Sequence, residues 1–139
     1  MKAVIFFSNS KHQRSRAISE KYEGDKFEIV NIGRQVKFIP FQMIYYGYLT
    51  VFNRPVQTAY PEIEFNKYDE ITLVSPIWAG RVNIFMKQFL ENNEIKNKNI
   101  RIVGSCDGGY NKYFSSYTDL IDSSNTIIEE VIYVKDKRV

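Results

Sequence analysis

The sequence is poor in residues that staple or ligate: 139 residues contain one cysteine, Cys106, one histidine, His12, and one tryptophan, Trp78. A lone cysteine excludes an internal disulfide and suits a reducing compartment. A lone histidine with no Cys/His cluster around it offers no metal site of ordinary ligand spacing. Long apolar runs are also missing. The run at residues 3–7 is too short for a signal-peptide core and is cut off by Ser8, Asn9 and Ser10. No stretch has the length of a membrane span, so a cytoplasmic protein with no membrane partner is expected. Acidic residues are absent from 29 to 61, where Arg34, Lys37 and Arg54 occur. The net charge of +3 is otherwise mild and dispersed, which argues against nucleic acid as the partner.

What is present is ordinary globular material, 44% apolar and 25% charged, in a length that suits one domain, residues 1–139. Apolar runs at 3–7, 27–32, 71–74 and 100–103, and at 127–134 interrupted by Glu129 and Glu130, read as strands of a parallel sheet buried on both faces. Helical patterns alternate with them. Ala17, Ile18 and Tyr22 precede a stop at Gly24, and Asn83 caps a helix that pairs Phe85 with Phe89 and Met86 with Leu90. Tyr113, Phe114, Tyr117, Leu120 and Ile121 suggest another helix. The connection from 33 to 61 is too long for a bare loop. Phe41, Ile44, Tyr45, Tyr48, Leu49 and Phe52 give it a helical stripe between Pro40 and Pro55, expected to pack on the sheet. A lid or docking surface built on surplus rings such as Tyr46 and Tyr60 is the alternative. Ser75 and Pro76 are expected to end the third strand.

This alternation predicts an α/β fold with five parallel strands in the order 2-1-3-4-5. Its switch point lies between the first and third strands, where ligands bind. The loop leaving the first strand offers the hydroxyls of Ser8, Ser10 and Ser15 and the free N–H groups of a helix start, donors suited to a phosphate or, more simply, to capping that helix. The loop leaving the third carries Pro76, Ile77, Trp78, Ala79 and Gly80. A large ring there fits a flat ligand, unless it is tucked under the next helix. A third loop, Ser105, Cys106, Asp107, Gly108, Gly109 and Tyr110, has two adjacent glycines that permit close backbone approach. Cys106 reads as packing or as a reactive thiol, and Asp107 as a turn residue.

Ser75-Pro76-Ile77-Trp78-Ala79-Gly80 followed by an amphipathic helix resembles the third βα loop of flavodoxin-like proteins. The similarity is strongest over residues 68–90 and looser across most of the chain. It implies a doubly wound flavodoxin-like sheet with FMN at the strand ends. Trp78 would then stack on or flank the isoalloxazine, Pro76, Ile77, Ala79 and Gly80 would line its edge, and Ser105 to Tyr110 would line the other side. The family's phosphate loop reads Ser/Thr-x-Thr-Gly-x-Thr. Here Ser8, Ser10, Lys11 and Gln13 match it, so the glycine and last threonine are replaced. Lys11 and Arg14 would add positive charge to the phosphate, and His12 would contact phosphate or solvent.

The resemblance implies an electron carrier serving a redox partner protein or a small-molecule acceptor, with no catalytic side chain. An NAD(P)H-dependent quinone or nitro-compound reductase and a flavin-free binding module are the alternatives. Arg81 and Lys11 near the ring predict a less negative second potential than in acidic flavodoxins. Relatives end with a helix after the fifth strand, and this sequence has none. A sheet face left bare by that loss is expected to be covered by a second copy or another protein, unless the first helix and side chains of the fifth strand suffice.

Overall fold

A computed structural model describes residues 1–8, 14–33, 39–135 and 137–139, with the backbone alone for 39, 40, 42 and 43. Five long strands are parallel: β1 (Lys2–Phe7), β2 (Asp25–Asn31), and three more that will be β4 (Glu70–Trp78), β6 (Asn99–Cys106) and β7 (Thr126–Val134) once the short strands are counted. Those are β3 (Thr58–Ala59), β5 (Arg81–Val82) and β8 (Lys137–Arg138), each antiparallel to its neighbour. The sheet runs β3-β2-β1-β4-β6-β7-β8, with β5 folded back on β4. The expected all-parallel sheet of five is therefore a mostly parallel sheet of eight. Two-residue strands carry no apolar run, so pattern alone does not announce them.

Alternation along β1 divides the interior in two. Ala3, Ile5 and Phe7 point into the larger core beneath α2 (Ile39–Val51) and α3 (Ile84–Asn92). Val4 and Phe6 join Ile18, Val74, Val103, Val131 and Tyr133 beneath α1 (Arg14–Ser19). This second face is closed by side chains. The Arg101 guanidinium bonds Glu129 at 2.6 Å and Glu70 and Thr72 at 3.1 Å, and lies over the Tyr22 ring. Lys21 lies over Tyr133 and Arg16 over Phe6, so long side chains cover with their stems what a helix would have covered. The bare sheet face expected to need a second copy is absent from the described residues.

Two expected elements differ. β4 does not stop at Ser75 and Pro76; it pairs them with Gly104 and Ser105 of β6 and continues to Trp78. Its ladder with β1 ends at Val74, so the residue without an N–H falls where one edge is already free. The helix expected around Tyr113 to Ile121 is a set of turns with one 3₁₀ turn, Ser115–Tyr117. The hydroxyls of Ser115 and Ser116 donate to the carbonyls of Lys112 and Tyr113, and this competition with the backbone shortens the helix. In β7 the register slips by one residue at Ile128, a bulge where Glu129 and Glu130 interrupt the apolar run.

The stripe expected on α2 is rotated, with Leu49 and part of Tyr45 inward as expected and the rest outward. Tyr46, Leu49 and Thr50 are buried, while Phe41, Ile44, Tyr48 and Phe52 face solvent and Tyr45 is half-buried. The segment Ile-Pro-Phe-Gln-Met-Ile-Tyr-Tyr-Gly-Tyr-Leu-Thr-Val is apolar nearly all round, so periodicity does not select its inner face. Specific contacts do. The Tyr46 ring stacks on Trp78 with centroids 5.1 Å apart, and Thr50 Oγ1 accepts from the Ile84 N–H at 3.3 Å.

Candidate functional site

The carboxyl ends of β1, β4 and β6 converge beside the start of α1, as parallel pairing and right-handed crossovers require. Ser8 leaves β1 there with its Oγ buried and without a hydrogen-bond partner among the described residues. Ser10, Lys11, His12 and Gln13 lie outside the described residues. Across the crevice Ser15 Oγ meets Ser105 Oγ at 3.4 Å, both buried, and the Arg14 guanidinium bonds the Asp107 carboxylate. The first and third expected loops are thus clasped together. Asp107 is an ion-pair partner here, beyond its expected role in the turn.

The Trp loop is a hairpin. Ala79 (φ 54°) and Gly80 (φ 72°) are the two residues between Trp78 and Arg81, and positive φ at both is what a type I′ turn demands. A Cβ on Gly80 would lie 2.9 Å from Asn111 Oδ1, and Gly80 O accepts from the Lys112 N–H at 3.0 Å, so the turn is tied to the segment after β6. Neither Asn111 nor Lys112 carried a signal in the sequence. Asn83 fixes the hairpin's other side: its Oδ1 accepts from the Met86 N–H at 3.0 Å, capping α3, and its Nδ2 donates to Pro76 O at 2.9 Å. Beside the turn, Arg81 Nε is buried with no partner among the described residues.

Trp78 is not free on a loop. Besides Tyr46 on one face, it meets Phe7 and Phe85 edge-on at 5.9 Å each. Residues of α2 and α3 supply two of these contacts, and the ring stays half-buried. Ile77 is buried under Gly104, so it is core rather than lining. Gly108, Gly109 and Tyr110 are exposed, and no other part of the described chain approaches within 4 Å of where a Cβ on either glycine would sit. Cys106 is partly buried; its thiol donates to Gly108 O at 3.0 Å, and burial pushes its pKa up. A raised pKa keeps it protonated and slow as a nucleophile.

Under the floor of the crevice, Ser75 Oγ, Tyr113 OH and Tyr117 OH contact one another at 2.9 to 3.4 Å, and Tyr113 OH reaches Val103 O at 3.1 Å. Burial raises both phenols, Tyr117 to about 12, so these hydroxyls are a neutral support rather than acid–base groups near pH 7. A cleft of about 370 Å³ opens between α2 and the segment before β3, lined by Asn31, Gly33, Tyr45, Val56, Gln57 and Phe85 among others. Phe85 separates it from Trp78.

No protein-family model matches the chain, and no curated protein sequence does. Solved structures do match. A flavoprotein from Lactobacillus acidophilus, crystallised in complex with FMN, superposes with a TM-score of 0.75 at 17% identity, over 94% of this chain and 91% of that one. A Bacteroides eggerthii protein assigned as a flavoprotein gives 0.77 at 13% identity, over 94% and 86%. One from Bacteroides uniformis, with the same assignment, gives 0.68 at 12% identity, over 98% and 92%. The fold of this chain is the fold of these flavoproteins.

Proposed function

We propose that the chain is a flavodoxin-like protein that binds FMN at the carboxyl ends of β1, β4 and β6 and passes electrons between redox partners. The observation that carries this reading is Ser8 Oγ: a buried hydroxyl without a partner, at the end of the first strand, costs stability unless something accepts or donates there. A phosphate oxygen is a suitable acceptor, and Ser15 and the Arg14 guanidinium, held by Ser105 and Asp107 at the start of α1, would add donors to it. The fold shared with a flavoprotein crystallised with FMN supports the same choice of ligand.

FMN supplies the electron chemistry when bound, and this chain's residues hold and tune it. Ser8, Arg14 and Ser15 would hold the phosphate. The Ala79–Gly80 turn would present its peptide to the ring edge, with Ser105 to Tyr110 on the opposite side. Arg81, at the start of β5, would bring a positive charge, and its Nε, buried without a partner among the described residues, would serve as a donor to the ring. Trp78, stacked on Tyr46, would flank the ring. A second reading, the NAD(P)H-dependent reductase, is favoured by the cleft one ring away from Trp78, which has the volume of a small organic substrate.

Titration of the purified protein with FMN, following Trp78 fluorescence and the flavin spectrum together, tests the proposal. Saturable binding at micromolar FMN with a shifted flavin band is expected, and Ser8→Ala should weaken it by roughly tenfold. Absence of binding at those concentrations overturns the proposal in favour of a flavin-free module. Rapid reduction of the bound flavin by NADPH selects the reductase.

A further inference from the structure

We propose that the outward face of α2 is a self-association surface, on which a second copy of this chain docks helix against helix. The proposal is independent of any flavin. Phe41 is 62% exposed, Ile44 69%, Tyr48 44%, Val51 45% and Phe52 64%, and all five fall within about a third of the helix circumference. No comparable group of neighbouring apolar side chains faces solvent elsewhere among the described residues. Ile127 and Ile128 at the bulge of β7, and Val30 and Ile32 at the end of β2, are exposed only as pairs.

Several features select a second copy as the occupant. Phe41, Ile44, Tyr48 and Val51 are spaced three, four and three apart, the alternation that seats one helix in the grooves of another. No residue of α2 is charged. Two copies therefore meet without repulsion, whereas a partner chosen by charge finds nothing on the face to pair with. The five side chains offer roughly 500 Å² per protomer, so a two-fold pair buries about 1,000 Å², the lower bound for a specific interface. That size predicts a reversible, concentration-dependent dimer.

The face is also held for docking. On the inner side of the same helix, Tyr46 is stacked on Trp78, and Thr50 and Leu49 are buried. Phe52 N–H donates to Tyr48 O and Arg54 N–H to Leu49 O, which close the helix end. Little further ordering is needed on association, which keeps its entropic cost low.

Sedimentation velocity on the full chain from about 1 to 200 µM tests this. The expected result is a monomer–dimer equilibrium whose dissociation constant rises at least tenfold in Ile44→Asp and in Val51→Asp. Both sites are exposed, so the thermal midpoints of the variants should stay at the wild-type value. Ile127→Asp should leave the equilibrium unchanged. A monomer at all concentrations overturns the proposal, as does a dimer that survives Ile44→Asp. A monomer that floats with phosphatidylcholine vesicles, and loses this in Ile44→Asp, assigns the face to a lipid surface and overturns the proposal equally.

Discussion

Gly104 sits in the middle of β6 where the sheet floor meets the buried Tyr113 ring, and Gly104→Ala probes how tightly the floor is built. The added Cβ would lie 2.5 Å from Tyr113 Cε2, 2.8 Å from its Cζ and 2.7 Å from Ile77 Cδ1. Ile77 yields at the end of a flexible side chain. The Tyr113 ring is fully buried and must withdraw by about 1 Å to restore van der Waals contact. Its hydroxyl then leaves hydrogen-bond range of Val103 O and Ser75 Oγ, each 3.1 Å away. Overpacking costs about 1–3 kcal/mol, and the lost hydrogen bonds of a buried hydroxyl that keeps only Tyr117 OH as a partner add about 1 kcal/mol. A loss near 3 kcal/mol is expected after partial relaxation, or a fall of about 10 °C in midpoint for a chain of this length. Urea denaturation of Gly104→Ala, Tyr113→Leu and the double variant measures it. With the ring gone the alanine fits, so the double variant should be more stable than the sum of the two losses by at least about 1.5 kcal/mol. Additive losses, or a Gly104→Ala variant as stable as the wild type, would refute the reasoning.

Asn83→Ala removes both the α3 cap and the tie to Pro76, and should cost about 2 kcal/mol in urea denaturation, with Asn83→Asp regaining the cap alone. Gly80→Ala places a side chain at φ 72° against Asn111, and is expected to cost about 1–2 kcal/mol and to shift Trp78 emission as the hairpin is displaced. Burial raises Tyr117 from the ordinary 10.0 to about 12, so above pH 10 the unfolded chain releases a proton that the folded chain retains. Stability should be level below pH 10 and fall as pH rises toward 12, less steeply in Tyr117→Phe, as urea midpoints across that range will report. Cys106, its pKa raised by burial, should react with iodoacetamide at pH 7.5 more slowly than a free thiol and gain rate at higher pH than a free thiol does.

The parallel strands were legible because buried strands are continuous apolar runs, and Asn83 because a cap precedes a helical stripe. Topology led the first loop and the Trp loop to be expected at one crevice, and the contact seen between Ser15 and Ser105 ties the first loop to the one after β6. Other features had no local signal. Tyr46 and Phe41 are indistinguishable by period in a helix that is apolar all round, and the choice between them is made by Trp78, on another element of the chain. Ser75 and Pro76 read as a terminator because the sequence does not say that β1 has already ended beside them. Tyr113 and Tyr117 keep a helical spacing, but Ser115 and Ser116 divert the backbone between them. The clasp of Arg14 and Asp107 joins two loops, and neither residue's type announces the other.

The two-residue strands β3 and β8 occupy opposite edges of the sheet, each covering the carboxyl end of the long strand it meets. The uncovered remainder of β2 carries Asp25, Lys26 and Glu28, and that of β7 is bent by its bulge at Ile128 and carries Glu129 and Glu130. An incoming strand finds only a short, charged or crooked stretch of unpaired backbone, so the sheet is a poor template for its own extension. Growth of an open-ended fibre through these edges is disfavoured, even though the strands themselves are rich in valine, isoleucine and phenylalanine.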